Sequence, residues 1–292
     1  MSFLLVGAGT PLQAQVQLSE SFTLTQVVDG IPITLKGARP NARGRTIYGK
    51  VVKWETAWVA GANIPTTLEV GRDFKINGTA VPAGAYSLWI VARPEGDWSL
   101  RIDPHVKVDH WFDPDSSAEQ FHARLKVTTV DPVETLTWSI PSVTGYRATF
   151  RMAWGDRAAE FTLALKPSFD PAVSAETAAA LVGNSLVTAD TTVQSFASPP
   201  PEIRISPVGN TLRFEALGMK GRGWDWGKGL TWMLVPVGGG LFTYGVAYEG
   251  ELVELYKQMG FWEFQRKDGK VTGFEVRTFP DDKLWLTGRR EP

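Results

Sequence analysis

Arg124-Leu125-Lys126-Val127-Thr128-Thr129 and, further along, Phe150-Arg151-Met152-Ala153-Trp154 decide the fold class. In the first stretch Leu125, Val127 and Thr129 share one face of an extended chain, while Arg124, Lys126 and Thr128 share the other. That period of two belongs to a half-buried antiparallel strand. Phe150, Met152 and Trp154 repeat it, and Phe161, Leu163 and Leu165 repeat it again beyond a turn expected at Gly155-Asp156. Working outward, the alternation runs from Ser21 to Lys166, interrupted by turn dipeptides. Asp29-Gly30 and Asn77-Gly78 mark hairpins, because both central residues of a primed two-residue turn take positive φ. Many short strands without a long helical period predict an antiparallel β-sandwich.

Beyond residue 168 the pattern changes. Asp170-Pro171 predicts the start of a short helix that Gly183 ends, and the polar stretch from Thr188 to Pro201 is expected to be an extended connection. Strand patterns then resume from Ile203 to Leu286, with Asp268-Gly269 as a further hairpin turn. One segment follows another rule: Leu252, Leu255, Tyr256 and Met259 fall at i, i+3, i+4 and i+7, with Gly260 as a stop. That spacing predicts an amphipathic helix over 250–259, inserted between strands, either a lid packed on its own barrel or a docking surface for a partner.

Bulk properties remove several function classes. The 292 residues suffice for two domains, each with its own core. A net charge of −1, from 30 basic and 31 acidic side chains, offers no single-signed field for a nucleic-acid backbone. With no cysteine there are no disulfides, thiolate nucleophiles, sulfur-ligated zinc or iron–sulfur clusters. No apolar run is long enough for a transmembrane helix. Residues 1–18, with Phe3-Leu4-Leu5-Val6 and Leu12-Gln13-Ala14, have the apolar and cleavage regions of an export leader without its basic start. The expectation is export to the periplasm or beyond.

Candidate chemistry is sparse. No Ser-x-x-Lys or nucleophile elbow is present. Gly221 to Gly229 lacks the Ser or Thr that a phosphate loop needs after Lys228; its Trp224 and Trp226 instead offer an apolar surface for a partner. His105, His110 and His122 lie near several aspartates, but their spacing fits no zinc or calcium pattern, and a solvated acidic loop is expected there. No metal and no cofactor are expected.

The densest block is Gly37-Ala38-Arg39-Pro40, then Gly44-Arg45-Thr46-Ile47-Tyr48-Gly49, then Trp58-Val59-Ala60-Gly61-Ala62-Asn63. In one reading Arg39, Arg45 and Asn63 line a polar pocket for a carboxylate. In the other, the arginines bond to strand-end carbonyls and Gly61-Ala62-Asn63 makes a tight bend. The block resembles the signature of an uncharacterised bacterial secreted family, a domain of unknown function with Arg-Pro, Gly-Arg-x-Ile-aromatic-Gly and Trp-Arg-x-Gly-Ala-Asn-Glu, over residues 20–166. Val59 and Ile64 stand where that pattern carries Arg and Glu, so the resemblance implies a fold whose charged pair has been lost. Residues 172–288 resemble the lipocalin-like barrel appended to penicillin-binding-type serine hydrolases, through Ala180-Leu181-Val182-Gly183, Leu234-Val235-Pro236-Val237 and Asp268 to Phe274. In that family the barrel is accessory to a separate catalytic domain.

The expected organisation is an apolar leader or tail over 1–18, a β-sandwich over 19–168, a short helix and Pro-rich connection over 169–201, and a small β-barrel over 202–292. The expected function is non-catalytic: an exported binding or scaffold protein, extrinsic to a larger membrane complex of the respiratory or photosynthetic kind. The alternatives are a periplasmic carrier of a small apolar or acidic ligand, and a hydrolase using the His105/His110 region.

Overall fold

The computed structural model describes residues 18–106, 120–193, 198–219 and 229–291. The chain divides into two compact units, with the boundary between Lys166 and Pro167 and with Thr144–Tyr146 grouped with the second.

The first unit contains β1 (Glu20–Val28), β2 (Ile31–Arg39), β3 (Ala57–Trp58), β4 (Thr66–Val70), β5 (Phe74–Ile76), β6 (Thr79–Val81), β7 (Gly84–Val91), β8 (Trp98–Asp103), β9 (Phe121–Thr144) and β10 (Arg147–Leu165). These form an open 10-stranded sheet in the order β1-β2-β4-β7-β8-β9-β10-β5-β6, with β3 paired to β7. Asp29 and Gly30 have φ of 45° and 74°, and Asn77 and Gly78 have φ of 46° and 91°, as primed hairpin turns require. Strands remote in that order meet face to face: the Trp58 ring of β3 stacks on Trp154 of β10 at 5.7 Å. Ile33, Leu35, Leu68, Leu88, Leu100, Phe150 and Leu163 fill the core between them.

β10 runs unbroken through the turn expected at Gly155-Asp156. Its buried positions are even-numbered up to Trp154 and odd-numbered from Ala159. An extra residue therefore shifts the inward face, which is a bulge rather than a reversal. Gly155, at φ 55°, supplies the kink.

The second unit holds α1 (Ala175–Leu181) and a closed barrel of β11 (Gly183–Ala189), β12 (Glu202–Val208), β13 (Thr211–Leu217), β14 (Leu230–Gly238), β15 (Leu241–Tyr248), β16 (Glu251–Lys267), β17 (Lys270–Arg277) and β18 (Leu284–Arg290). The helix starts later than Asp170-Pro171 predicts. Ser174 is the cap, its hydroxyl accepting from the Thr177 amide at 3.1 Å, while Asp170 turns the chain by accepting from Ala172. Leu181 inserts among the barrel's core residues, and Arg290 donates to the Ala180 and Leu181 carbonyls at 3.2 and 2.7 Å, satisfying the helix C-terminus. The barrel opens with β11, inside the segment expected to be connection.

The helix expected over 250–259 is absent. Residues 251–259 belong to β16, a strand of 17 residues, and Gly250 lies in the turn before it. The pairing of β16 with β15 jumps between Thr243↔Phe261 and Tyr244↔Tyr256, so residues 257–260 are extra on the β16 side, a bulge. The Thr243 hydroxyl holds the bulge by donating to Gly260 O at 2.9 Å. Gly260 has φ 123°, and a Cβ there would collide with the Arg277 carbonyl. It is a bulge glycine; this bulge and a second register shift, between Val246↔Glu254 and Ala247↔Leu252, break the period of two and leave a helix-like apolar spacing.

Candidate functional site

The signature block begins where β2 ends. Pro40 to Ala42 zip onto β9: Leu136 N donates to Pro40 O at 2.9 Å and Ala42 N to Glu134 O at 2.7 Å. Arg39 secures the junction, donating through Nε to the Leu136 carbonyl and through Nη2 to Thr137 Oγ1, both at 2.9 Å. Arg45 closes the following turn through Nε to Ala42 O at 3.0 Å and Nη2 to Asn41 O at 2.7 Å. Both guanidinium groups serve carbonyls of their own domain.

Asn63 sits at φ 64° in a bend whose carbonyls are claimed by other donors. Trp58 Nε1 reaches Gly61 O at 3.1 Å, and Thr66 Oγ1 and Trp138 Nε1 reach Ala60 O at 3.0 and 3.4 Å. Val59 is buried in this bend and Ile64 lies on the surface. The Asn63 amide reaches the Ser19 carbonyl at 3.5 Å.

The block does border a cavity of about 440 Å³. Arg45 is on its wall; Arg39 and Asn63 are not. Tyr48, Trp54, Glu134, Asp156 and Arg157 are. Gly49, at φ 84°, lets the chain pass against the Trp54 indole, and Tyr48 stacks on Trp54 at 6.0 Å and tilts against Trp98 at 4.8 Å. Asp156 and Arg157 arrive from the β10 bulge and pair at 2.6 Å. The Tyr48 hydroxyl is buried with no hydrogen-bond partner among the described residues. Burial, reinforced by the Asp156 carboxylate, holds this phenol well above its usual range, so it stays protonated. Tyr48 belongs to the signature block, whereas Asp156 and Arg157 lie over a hundred residues away in sequence. The usable signal was the conjunction of Gly49 and Gly155, two glycines at which close backbone approach permits the grouping.

Residues 19–163 are a DUF2911 domain. The family carries the description protein of unknown function, and its match spans the open sheet from the residue before β1 to within β10. No curated protein and no solved structure matches the chain.

Elsewhere in the DUF2911 domain, Asp103 is fully buried and accepts from the His105 amide at 2.9 Å, with the ring Nδ1 at 3.1 Å. Ser87 Oγ donates to the His105 carbonyl at 3.0 Å, so the hydroxyl serves the backbone rather than the imidazole. His110 falls outside the described residues, as do Trp224, Trp226 and the apolar start of the chain. His122 is exposed and borders a second cavity of about 490 Å³ with Arg93 and Arg124. Among the described residues no group of His, Asp and Glu is placed to hold a metal ion.

In the barrel the four expected docking residues divide. Tyr256 and Met259 join the interior cluster. Leu252 and Leu255 pack with Phe169 against Met233, Val235 and Ala247, a separate cluster. The interior itself is occupied by rings: Phe214 lies 5.6 Å from Trp232 and 5.1 Å from Trp262, and Trp262 lies 4.7 Å from Phe274.

Proposed function

We propose that this chain is a non-catalytic binding or scaffold protein, exported and extrinsic to the periplasmic face of a larger membrane assembly, a respiratory or photosynthetic complex being the kind of host in view. One observation carries the reading: the guanidinium groups of the signature block, Arg39 and Arg45, are bonded to carbonyls of their own domain. Groups that would otherwise bind an anionic substrate therefore hold the fold, and recognition falls to outer surfaces. The ring-filled barrel points the same way, as does an apolar leading segment suited to export. Among the described residues no helix is long and apolar enough to cross a membrane. Solubilising native membranes in mild detergent and isolating the protein tests this. Co-purification with integral membrane subunits is expected; recovery of the chain without them overturns the proposal.

A second reading, a carrier of a small ligand, is favoured by one feature: the cavity beside Arg45 and Trp54, with the buried Tyr48 hydroxyl next to it. Its size suits one small molecule. Solvent extraction of protein purified from its native source, followed by mass spectrometry, would recover a stoichiometric compound. Tryptophan emission unchanged on adding that compound back would dismiss it.

A further inference from the structure

The open sheet has two edges, and they are treated differently. At one end β6 has three residues, and its hairpin is tied down: Asn77 Nδ2 donates to Arg124 O at 2.5 Å and Thr79 Oγ1 to His122 O at 2.8 Å. A short, covered edge is a usual way to prevent strands of other chains from adding on. At the other end β1 runs for nine residues, Glu20–Val28, in continuous register with β2 from Glu20↔Arg39 to Val28↔Ile31. It has no bulge, no proline, no lysine or arginine, and Glu20 as its single charge. The protections expected on a long edge are missing.

The strand is also ordered in advance. Its turn end is pinned by Arg72, which reaches the Asp29 carboxylate at 2.5 Å and the Lys166 carbonyl at 3.2 Å. Phe22 and Leu24 face inward but are only half buried, and among the described residues no further strand pairs with β1 on its outer side. A segment that already has strand geometry adds to another without the ordering cost of a flexible peptide.

We propose that β1 is a self-association edge, pairing antiparallel with β1 of a second copy of this chain about a two-fold axis at Leu24. The occupant follows from self-complementarity. Centring on Leu24 gives full overlap of Glu20–Val28. It sets Phe22 opposite Gln26 on the inner face, Thr23 opposite Thr25 on the outer face, and each Glu20 opposite Val28. The two glutamates are then about 27 Å apart at roughly 3.4 Å per residue, so no like charges meet. A two-fold contact of this kind closes on itself and does not propagate. Two added edges bury less than the roughly 1,200 Å² of a standard stable interface, so the dimer is reversible and depends on concentration.

The test is sedimentation velocity on the full chain across a hundredfold dilution, with three proteins. The parent is expected to shift from monomer to a doubled mass as concentration rises. Thr23→Glu with Thr25→Glu sets carboxylates directly opposite each other in the paired edge, while the new Glu at 23 lies across from Lys36 within the monomer. This variant should remain monomeric at the highest concentration with unchanged circular dichroism. Thr23→Glu with Thr25→Lys sets opposite charges together only in the Leu24 register, and should regain the doubled mass. A parent that is monomeric throughout overturns the proposal. So does a Glu/Glu variant that associates as the parent does, or a Glu/Lys variant that stays monomeric.

Discussion

Replacing Arg39 by Met separates a structural arginine from a ligand-binding one. Met retains the apolar stem and removes both donors, the 2.9 Å bonds to Leu136 O and Thr137 Oγ1. Hydrogen bonds from a charged group contribute about 1.5–3 kcal/mol each, and half-burial places these at the lower end. Losing the pair should cost about 2–3 kcal/mol, because the bonds share one side chain and do not add fully. For a domain of this size that corresponds to a midpoint lower by about 5–10 °C. Arg39→Lys should restore only part, since an ammonium cannot span both acceptors with a planar fork. Arg45→Met should cost less than about 1 kcal/mol, because its acceptors lie on an exposed local turn. Urea unfolding followed by tryptophan emission reads all three, Trp58, Trp138 and Trp154 being packed in the same unit. If Arg39→Met unfolded within about 0.5 kcal/mol of the parent, the structural account of the block would be refuted.

Gly260→Ala forces a Cβ into the Arg277 carbonyl and should cost about 3 kcal/mol or more in the barrel, whereas Gly250→Ala, with open space around it, should cost only the strain of its positive φ, about 1 kcal/mol; urea midpoints distinguish them. Phe214→Ala removes a ring packed against Trp232 and Trp262 and should destabilise the barrel by about 3–5 kcal/mol in the same assay. Tyr48 has a folded-state pKa raised above that of the unfolded phenol, so its contribution is intact below about pH 10 and is lost as pH rises beyond it. Tyr48→Phe should therefore leave neutral stability unchanged or raise it by up to about 1 kcal/mol, since the lost hydroxyl has no partner among the described residues, and should flatten the decline above pH 10; a variant clearly less stable at pH 7 would contradict this.

What could be read from the residues follows from the range of the forces involved. Primed turns are local, so Asp29-Gly30, Asn77-Gly78 and Asp268-Gly269 were legible and lie at hairpins. Alternation is local too, and it located most strands. It misled where a bulge inserted residues: the parity change in β10 resembled a turn, and two register shifts in β16 imitated a helical period. β11 was hidden because Gly183–Ala189 gains strand character from two partners, β12 and β18, the latter a hundred residues away. For the site, the sequence supplied residue types but not acceptors. Nothing near Arg39 indicated that Leu136 O and Thr137 would receive it, and nothing near Tyr48 announced Asp156 and Arg157. Only the sheet order brings them together.

The seam of the barrel sets a schedule for its own synthesis. β11 pairs with β18, Ser185 against Arg290, so the first strand of the ring emerges from the ribosome long before the strand that shuts it. Until Arg290 is made, the ring is an unrolled ribbon with two bare flanks and its tryptophans open to water. A stop codon between Gly183 and Leu284 should thus leave a clumping product rather than a slightly weaker one, and the codons of β18 govern whether the second unit can close at all.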